Sequence, residues 1–184
     1  REGARFAVAE ARRVVGVPGR EGSTLSPVAG PITLSDVEAL AMERLEPAWR
    51  EYFVGGAGDE RTMRANAEAY ARYRLRPRVL AGIERASAAT TLLGYELSMP
   101  LIVAPMGYIR RAHEDGEEGF ARAAEAAGCG FCLSTFATAT PSAIEEAAPR
   151  VPRLYQVYVL ADRGLTDELV AAAVDAGFTT LVLT

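Results

Sequence analysis

Four short apolar segments, separated by stretches that read as helices, constrain this chain more than anything else in it. The segments are Leu101-Ile102-Val103-Ala104, Phe131-Cys132-Leu133-Ser134, Leu154-Tyr155-Gln156-Val157-Tyr158 and Thr180-Leu181-Val182-Leu183-Thr184. Between them lie helical stretches over 117–127, 142–148 and 166–176, with Gly128 and Gly177 where helices should stop. Ser142-Ala143-Ile144-Glu145 has the spacing of a capping box. Strands joined through helices pair in parallel, because a parallel return needs a long crossover. Four such units make half of an eight-fold barrel. A doubly wound sheet shows the same alternation, and its first turn often carries a Gly-rich phosphate loop. Here that turn is Pro105-Met106-Gly107-Tyr108, without G-x-G-x-x-G, which favours the barrel. The expected fold class is therefore α/β, a (β/α)8 TIM barrel of which this chain covers the N-terminal helices and the first four βα strands. An uncovered last strand would leave an edge prone to aggregation. The C-terminal half of the barrel is thus expected from a second polypeptide or from residues after a break.

Upstream of the strands the chain reads as helical. Phe6 to Val17 can form a short amphipathic helix, followed by a polar Gly/Pro-rich linker over 19–31. Residues 1–31 are accordingly an extension and linker, and residues 32–184 the half-barrel. Ser35-Asp36-Val37-Glu38 is a capping box for a helix with Val37, Leu40 and Ala41 on one face. Pro47 starts another helix through Trp49, Tyr52 and Phe53, which Gly55-Gly56 stops. Asp59 to Tyr73 reads as a third, and Thr90 to Ser98 as a hairpin turning near Gly94.

Composition narrows the chemistry. All 20 Lys+Arg residues are arginine, so no Schiff base, lysine general base or P-loop lysine comes from this chain. The net charge of -4 points away from nucleic acid, and no apolar run reaches membrane-spanning length. Glu2 and Glu10 interrupt the Ala/Arg-rich start, which therefore lacks a secretory apolar core. Cys129 and Cys132 have C-x-x-C spacing. Without a second pair, and with one histidine in the chain, they read as small buried residues at a strand entry, not as a redox pair or metal site. A reducing, cytoplasmic setting is the default expectation, and no metal site is expected.

Polar residues collect at the carboxyl ends of the strands: Ser134, Gln156, Tyr158 and Thr184, beside the Pro105-Met106-Gly107 turn. In a barrel that end holds the active site. Gln156 and Tyr158 are two apart, so on one strand they face the same way. A buried amide and phenol need partners. Either a bound polar heterocycle or a self-satisfied polar cluster would supply them. Tyr52 could reach a ligand or pack as an amphipathic core residue, and Gly55-Gly56 could cradle phosphate or stop a helix. His113 is a general-base candidate, but it stands at a helix start beside Glu114-Asp115-Gly116-Glu117, where a capping role is the simpler account.

Several stretches in order resemble one family. They are Tyr52-Phe53-Val54-Gly55-Gly56-Ala57-Gly58-Asp59-Glu60-Arg61-Thr62, Leu75-Arg76-Pro77-Arg78-Val79-Leu80, Ala104-Pro105-Met106-Gly107 and Ala112-His113-Glu114-Asp115-Gly116-Glu117. Leu133-Ser134-Thr135, Gln156-Val157-Tyr158-Val159, Ala176-Gly177-Phe178 and Leu181-Val182-Leu183-Thr184 continue the series. The series resembles the FMN-dependent 2-hydroxy-acid oxidases and dehydrogenases, which include glycolate oxidase, lactate oxidase, lactate monooxygenase and mandelate dehydrogenase.

The resemblance implies an FMN-dependent oxidoreductase that converts a small L-2-hydroxy acid to a 2-oxo acid by hydride transfer to flavin N5. Oxygen or another carrier would be the acceptor. It implies that Pro105, Met106 and Gly107 pass beside the flavin, and that Ser134, Gln156 and Thr184 bond the isoalloxazine edge. Tyr52 and Tyr158 would contact the substrate, and Tyr158 would meet developing charge. A catalytic histidine, a carboxylate-binding arginine and a lysine near flavin N1 would come from outside this chain, as would most of the phosphate site. His113 matches a family histidine that is not the base. Homo-oligomeric, commonly tetrameric, assembly is implied too. Gly107 stands where oxidases commonly have alanine, and Phe136 where glycolate oxidase has tryptophan. Two other outcomes remain in view: another FMN barrel such as type 2 isopentenyl diphosphate isomerase, and a non-catalytic half-barrel subunit.

Overall fold

Residues 30–184 are described by a computed structural model. The expected helix over 6–17 and nearly all of the linker lie outside the described residues. The chain divides after Tyr70 into two units.

In the first unit, three helices follow from local chemistry: α1 (Leu34–Arg44), α2 (Pro47–Val54) and α3 (Arg61–Tyr70). A capping box opens α1, two residues earlier than Ser35-to-Glu38 spacing suggests. Thr33 Oγ1 accepts from the Asp36 amide at 3.2 Å, and the Asp36 carboxylate accepts the amides of Thr33 and Ile32 at 2.8 and 2.9 Å. Those amide bonds hold the Asp36 carboxyl below its usual value, that from Thr33 contributing most and Ile32 next. Pro47 opens α2, where its missing N–H costs nothing. Trp49, Tyr52 and Phe53 pack edge-on along α2, with ring centroids 5.7 and 5.2 Å apart for Trp49–Tyr52 and Tyr52–Phe53. Gly55 ends the helix. A Cβ there would lie 2.7 Å from the Glu51 carbonyl oxygen that its own N–H bonds. Glu60 has φ 57°, so α3 begins at Arg61 and not at Asp59.

In the second unit, β1 (Thr90–Leu92) and β2 (Tyr95–Leu97) form an antiparallel hairpin. Its turn residues, Leu93 and Gly94, both have positive φ, as a tight two-residue turn requires. Four strands follow: β3 (Ile102–Val103), β4 (Gly130–Leu133), β5 (Arg153–Val157) and β6 (Thr180–Leu183). They pair in parallel in the order β3-β4-β5-β6. Helices α4 (Gly116–Ala127), α5 (Pro141–Ala147) and α6 (Arg163–Asp175) lie between them in sequence. The architecture is α/β with a parallel sheet. No helix among the described residues is long and apolar enough to cross a membrane.

The caps again sit slightly upstream of their sequence signals. Thr140, not Ser142, caps α5 by accepting from the Ala143 amide, because Pro141 takes the first helical position. Asp162 caps α6 through the Leu165 amide at 3.2 Å.

Side chains alternate across the sheet. Phe131, Leu133, Tyr155 and Val157 form a core with Ala121 and Ala124 of α4, Ile144 of α5, Ala173 of α6 and Phe178. Each such large side chain contributes roughly 1.5–3 kcal/mol by leaving water. Cys129 belongs to that cluster and Cys132 does not; both are free thiols. The alternation thus separates the C-x-x-C pair. The hairpin is pinned to the amino ends of β5 and β6 by the Tyr95 hydroxyl. It donates to the Arg153 carbonyl at 3.0 Å and meets the hydroxyls of Thr179 and Thr180.

Candidate active site

The carboxyl tips of β4, β5 and β6 bring Ser134, Gln156 and Thr184 into one hydrogen-bonded row. Gln156 is 2 % exposed, and Ser134 is also buried. Ser134 Oγ donates to Gln156 Oε1 at 3.2 Å, and Gln156 Nε2 donates to Thr184 Oγ1 at 2.8 Å. The amide orientation is set by the Thr135 backbone N–H, which also donates to Oε1 at 3.1 Å. Parallel pairing of Leu133 with Tyr155 and of Gln156 with Val182 aligns the three side chains.

Thr135 had no assigned role at the sequence level, yet it splices two strands. Its hydroxyl donates to the Gln156 carbonyl at 2.6 Å and accepts the Tyr158 amide at 3.1 Å. A Ser-Thr pair leaving an apolar strand is the signal that was available.

Capacity remains in the row. One Nε2 hydrogen of Gln156 and the Thr184 hydroxyl proton are free to donate. Ser134 Oγ, which also accepts the Phe136 amide at 3.2 Å, keeps a lone pair. The row thus offers two donors and an acceptor, in a frame buried at Ser134 and Gln156 and exposed at Thr184. The pyrimidine edge of a flavin carries groups of the complementary kinds, two carbonyl oxygens and an N–H. Each member has a partner within the row, and the groups left over suit such a heterocycle in kind and number.

Pro105, Met106 and Gly107 leave β3 half-buried. Tyr158 sits just past the end of β5, partly exposed, with its ring against Phe136 at 5.3 Å. Phe136 in turn stacks on Tyr108 at 6.3 Å and 10°, which makes an aromatic ledge of three rings. Tyr108 takes a left-handed φ of 59° and donates its amide to the Phe136 carbonyl at 3.1 Å. Tyr52 lies on α2 in the first unit, about half exposed.

Two acidic and basic groups resolve differently from each other. His113 is exposed, and its Nδ1 accepts the Asp115 amide at 3.2 Å, a helix-entry role. Glu117, by contrast, is 1 % exposed and turns inward to accept bonds from Ile109 and Thr138. A cleft of about 490 Å³ on the neighbouring helices is lined by Arg110, Asp115, Glu118 and Arg122, whose charges pair with one another. The Gly55-Gly56 loop closes on itself, since the Gly56 amide goes to the Glu60 carboxylate at 3.1 Å. Burial pushes the Cys132 thiol up to about 11.

A family model described as FMN-dependent dehydrogenase matches residues 41–184. Glycolate oxidase 5 of Oryza sativa subsp. japonica is 42% identical over 158 residues, which are 84% of this chain and 42% of the rice protein. L-lactate oxidase of a Nostoc species is 38% identical over 163 residues, covering 87% of this chain and 45% of its own. The recombinant flavin-binding domain of baker's yeast flavocytochrome b2 superimposes with a TM-score of 0.78 at 32% identity, over 86% of this chain and 42% of that one. The chain spans less than half the length of the curated relatives it matches.

Proposed function

The chain belongs to the FMN-dependent dehydrogenase family, and on that premise we propose that its strand tips form one wall of an FMN site in a complete (β/α)8 barrel oxidising a small L-2-hydroxy acid to the 2-oxo acid. The observation that carries this reading is the row Ser134–Gln156–Thr184, whose spare donors and acceptor match a flavin's polar edge in kind and number. In it Ser134, Gln156 and Thr184 would hold the pyrimidine edge, while Pro105, Met106 and Gly107 flank the ring. Bound FMN supplies a two-electron acceptor for the hydrogen that leaves C2.

The rest of the chemistry is positioning. Oxidation takes a proton from the C2 hydroxyl and a hydride equivalent from C2, and leaves a carbonyl. Tyr158 would donate its hydroxyl to the substrate carboxylate or to the oxygen at C2, with Tyr52 as a second contact. The aromatic ledge would exclude water on one side. The histidine that takes the proton, the arginine that grips the carboxylate and the lysine beside the flavin are assigned to the other half of the barrel. Cytoplasmic placement and homo-oligomeric assembly complete the proposal.

The test is direct. The full-length protein should purify yellow, with a flavin absorbance band, and should turn over a 2-hydroxy acid with a dye acceptor. Gln156→Leu should lose flavin while keeping its helical circular dichroism. A colourless wild-type protein, or a yellow one inert to 2-hydroxy acids, overturns the proposal.

A further inference from the structure

Glu117 stands in the first turn of α4, where an acid usually faces water and the helix's own amides. Its carboxylate instead accepts the Ile109 amide at 3.3 Å, the Thr138 amide at 2.8 Å and the Thr138 hydroxyl. Ile109 belongs to the loop after β3, and Thr138 to the loop after β4. One buried side chain therefore ties together the two loops that carry Tyr108 and Phe136, two of the three rings of the aromatic ledge. Between the tie points, the Tyr108 amide bonds the Phe136 carbonyl and the two rings stack. Phe136 then touches Tyr158 with its ring and Ser134 with its amide.

We propose that Glu117 is a positioning residue, a brace that fixes the β3 and β4 loops and so sets Phe136 and Ser134 at the strand tips. The proposal rests on the reading of those tips as the substrate and flavin site. Its chemistry is acceptor capacity. The brace needs oxygen atoms facing two amides and one hydroxyl. The hydroxyl can turn to accept instead, so a glutamine keeps every bond while a leucine of similar size keeps none.

The experiment compares wild type, Glu117→Gln and Glu117→Leu in the full-length protein by amide hydrogen exchange and by steady-state kinetics. In Glu117→Leu, exchange over 105–112 and 134–140 should rise about tenfold or more, with 153–157 unchanged; local opening of this kind is what exchange reads. Glu117→Gln should stay within about twofold of wild type. KM for the 2-hydroxy acid, measured per bound flavin, should rise about tenfold in Glu117→Leu and recover in Glu117→Gln, as expected for misplaced contacts. Wild-type exchange in Glu117→Leu overturns the brace, as does equal loosening of 153–157. A Glu117→Gln protein that behaves like Glu117→Leu also overturns it, because charge would then matter and not acceptors. Should Glu117→Leu fail to fold, Thr138→Ala is expected to loosen 134–140 alone, and no loosening there counts against the brace. An inert wild-type protein would sink the functional reading, while the exchange data would still decide the brace.

Discussion

Tyr158 is the residue on which the proposed chemistry leans most. Its backbone is tied by Thr135 and its ring rests on Phe136, which leaves the hydroxyl as the variable part. Tyr158→Phe in the full-length enzyme is expected to lower kcat/KM by the ~2–4 kcal/mol typical of a lost donor in a preorganised site. Unchanged kcat/KM would remove Tyr158 from the substrate. Cys132 supplies a pH-dependent test. Its ordinary value is 9.0, and burial raises it to about 11 in the folded chain. Between those two pH values the unfolded chain has lost a proton that the folded chain keeps, so stability should fall across that window. Urea midpoints at pH 8 and pH 10.5 should differ more in wild type than in Cys132→Ala. Legibility was uneven at this scale. Ser134, Gln156 and Thr184 were legible as polar side chains ending apolar strands, but spacing alone did not tell a ligand site from a cluster that satisfies itself. Glu117 did not, because an acid in a helix's first turn has an ordinary one.

Helices and strands were readable from periodicity, but their first residues were not. The cap of α1 proved to be Thr33 and that of α5 Thr140, each two residues before the expected Ser. In both places two hydroxyl residues compete. The winner is set by which one takes an extended backbone, and at α5 by Pro141 after it. The stop after α4 was legible in Gly128, although its reason was not. Gly128 has φ 66°, and a Cβ there would lie 2.1 Å from Ser98 Oγ and 2.8 Å from Ser98 Cβ. Gly128→Ala is therefore expected to lose stability beyond the roughly 1–2 kcal/mol of a left-handed alanine. In a Ser98→Gly background only the backbone part should remain. Equal losses in the two backgrounds, read by urea unfolding, would show that Ser98 is not the obstacle.

Parallel sheets bury both faces under other structure. Leu181 and Leu183 of β6 are 50 % and 73 % exposed on the face that Tyr155 and Val157 share with the helices. A polypeptide of these 184 residues alone is expected to bind a hydrophobic dye and to self-associate, and the full-length protein is not. Equal dye binding by the two would show that these leucines stay bare in the whole molecule. The polar row has a consequence for assembly as well as chemistry. Its three side chains come from three strands, and they meet only when β4, β5 and β6 align as they do here. A slip of β5 by one residue would set Val157 against Ser134 and turn the amide toward the helices. Misaligned intermediates would thus strand a buried amide, and the groups proposed to cradle a cofactor would also proofread how the sheet zips up.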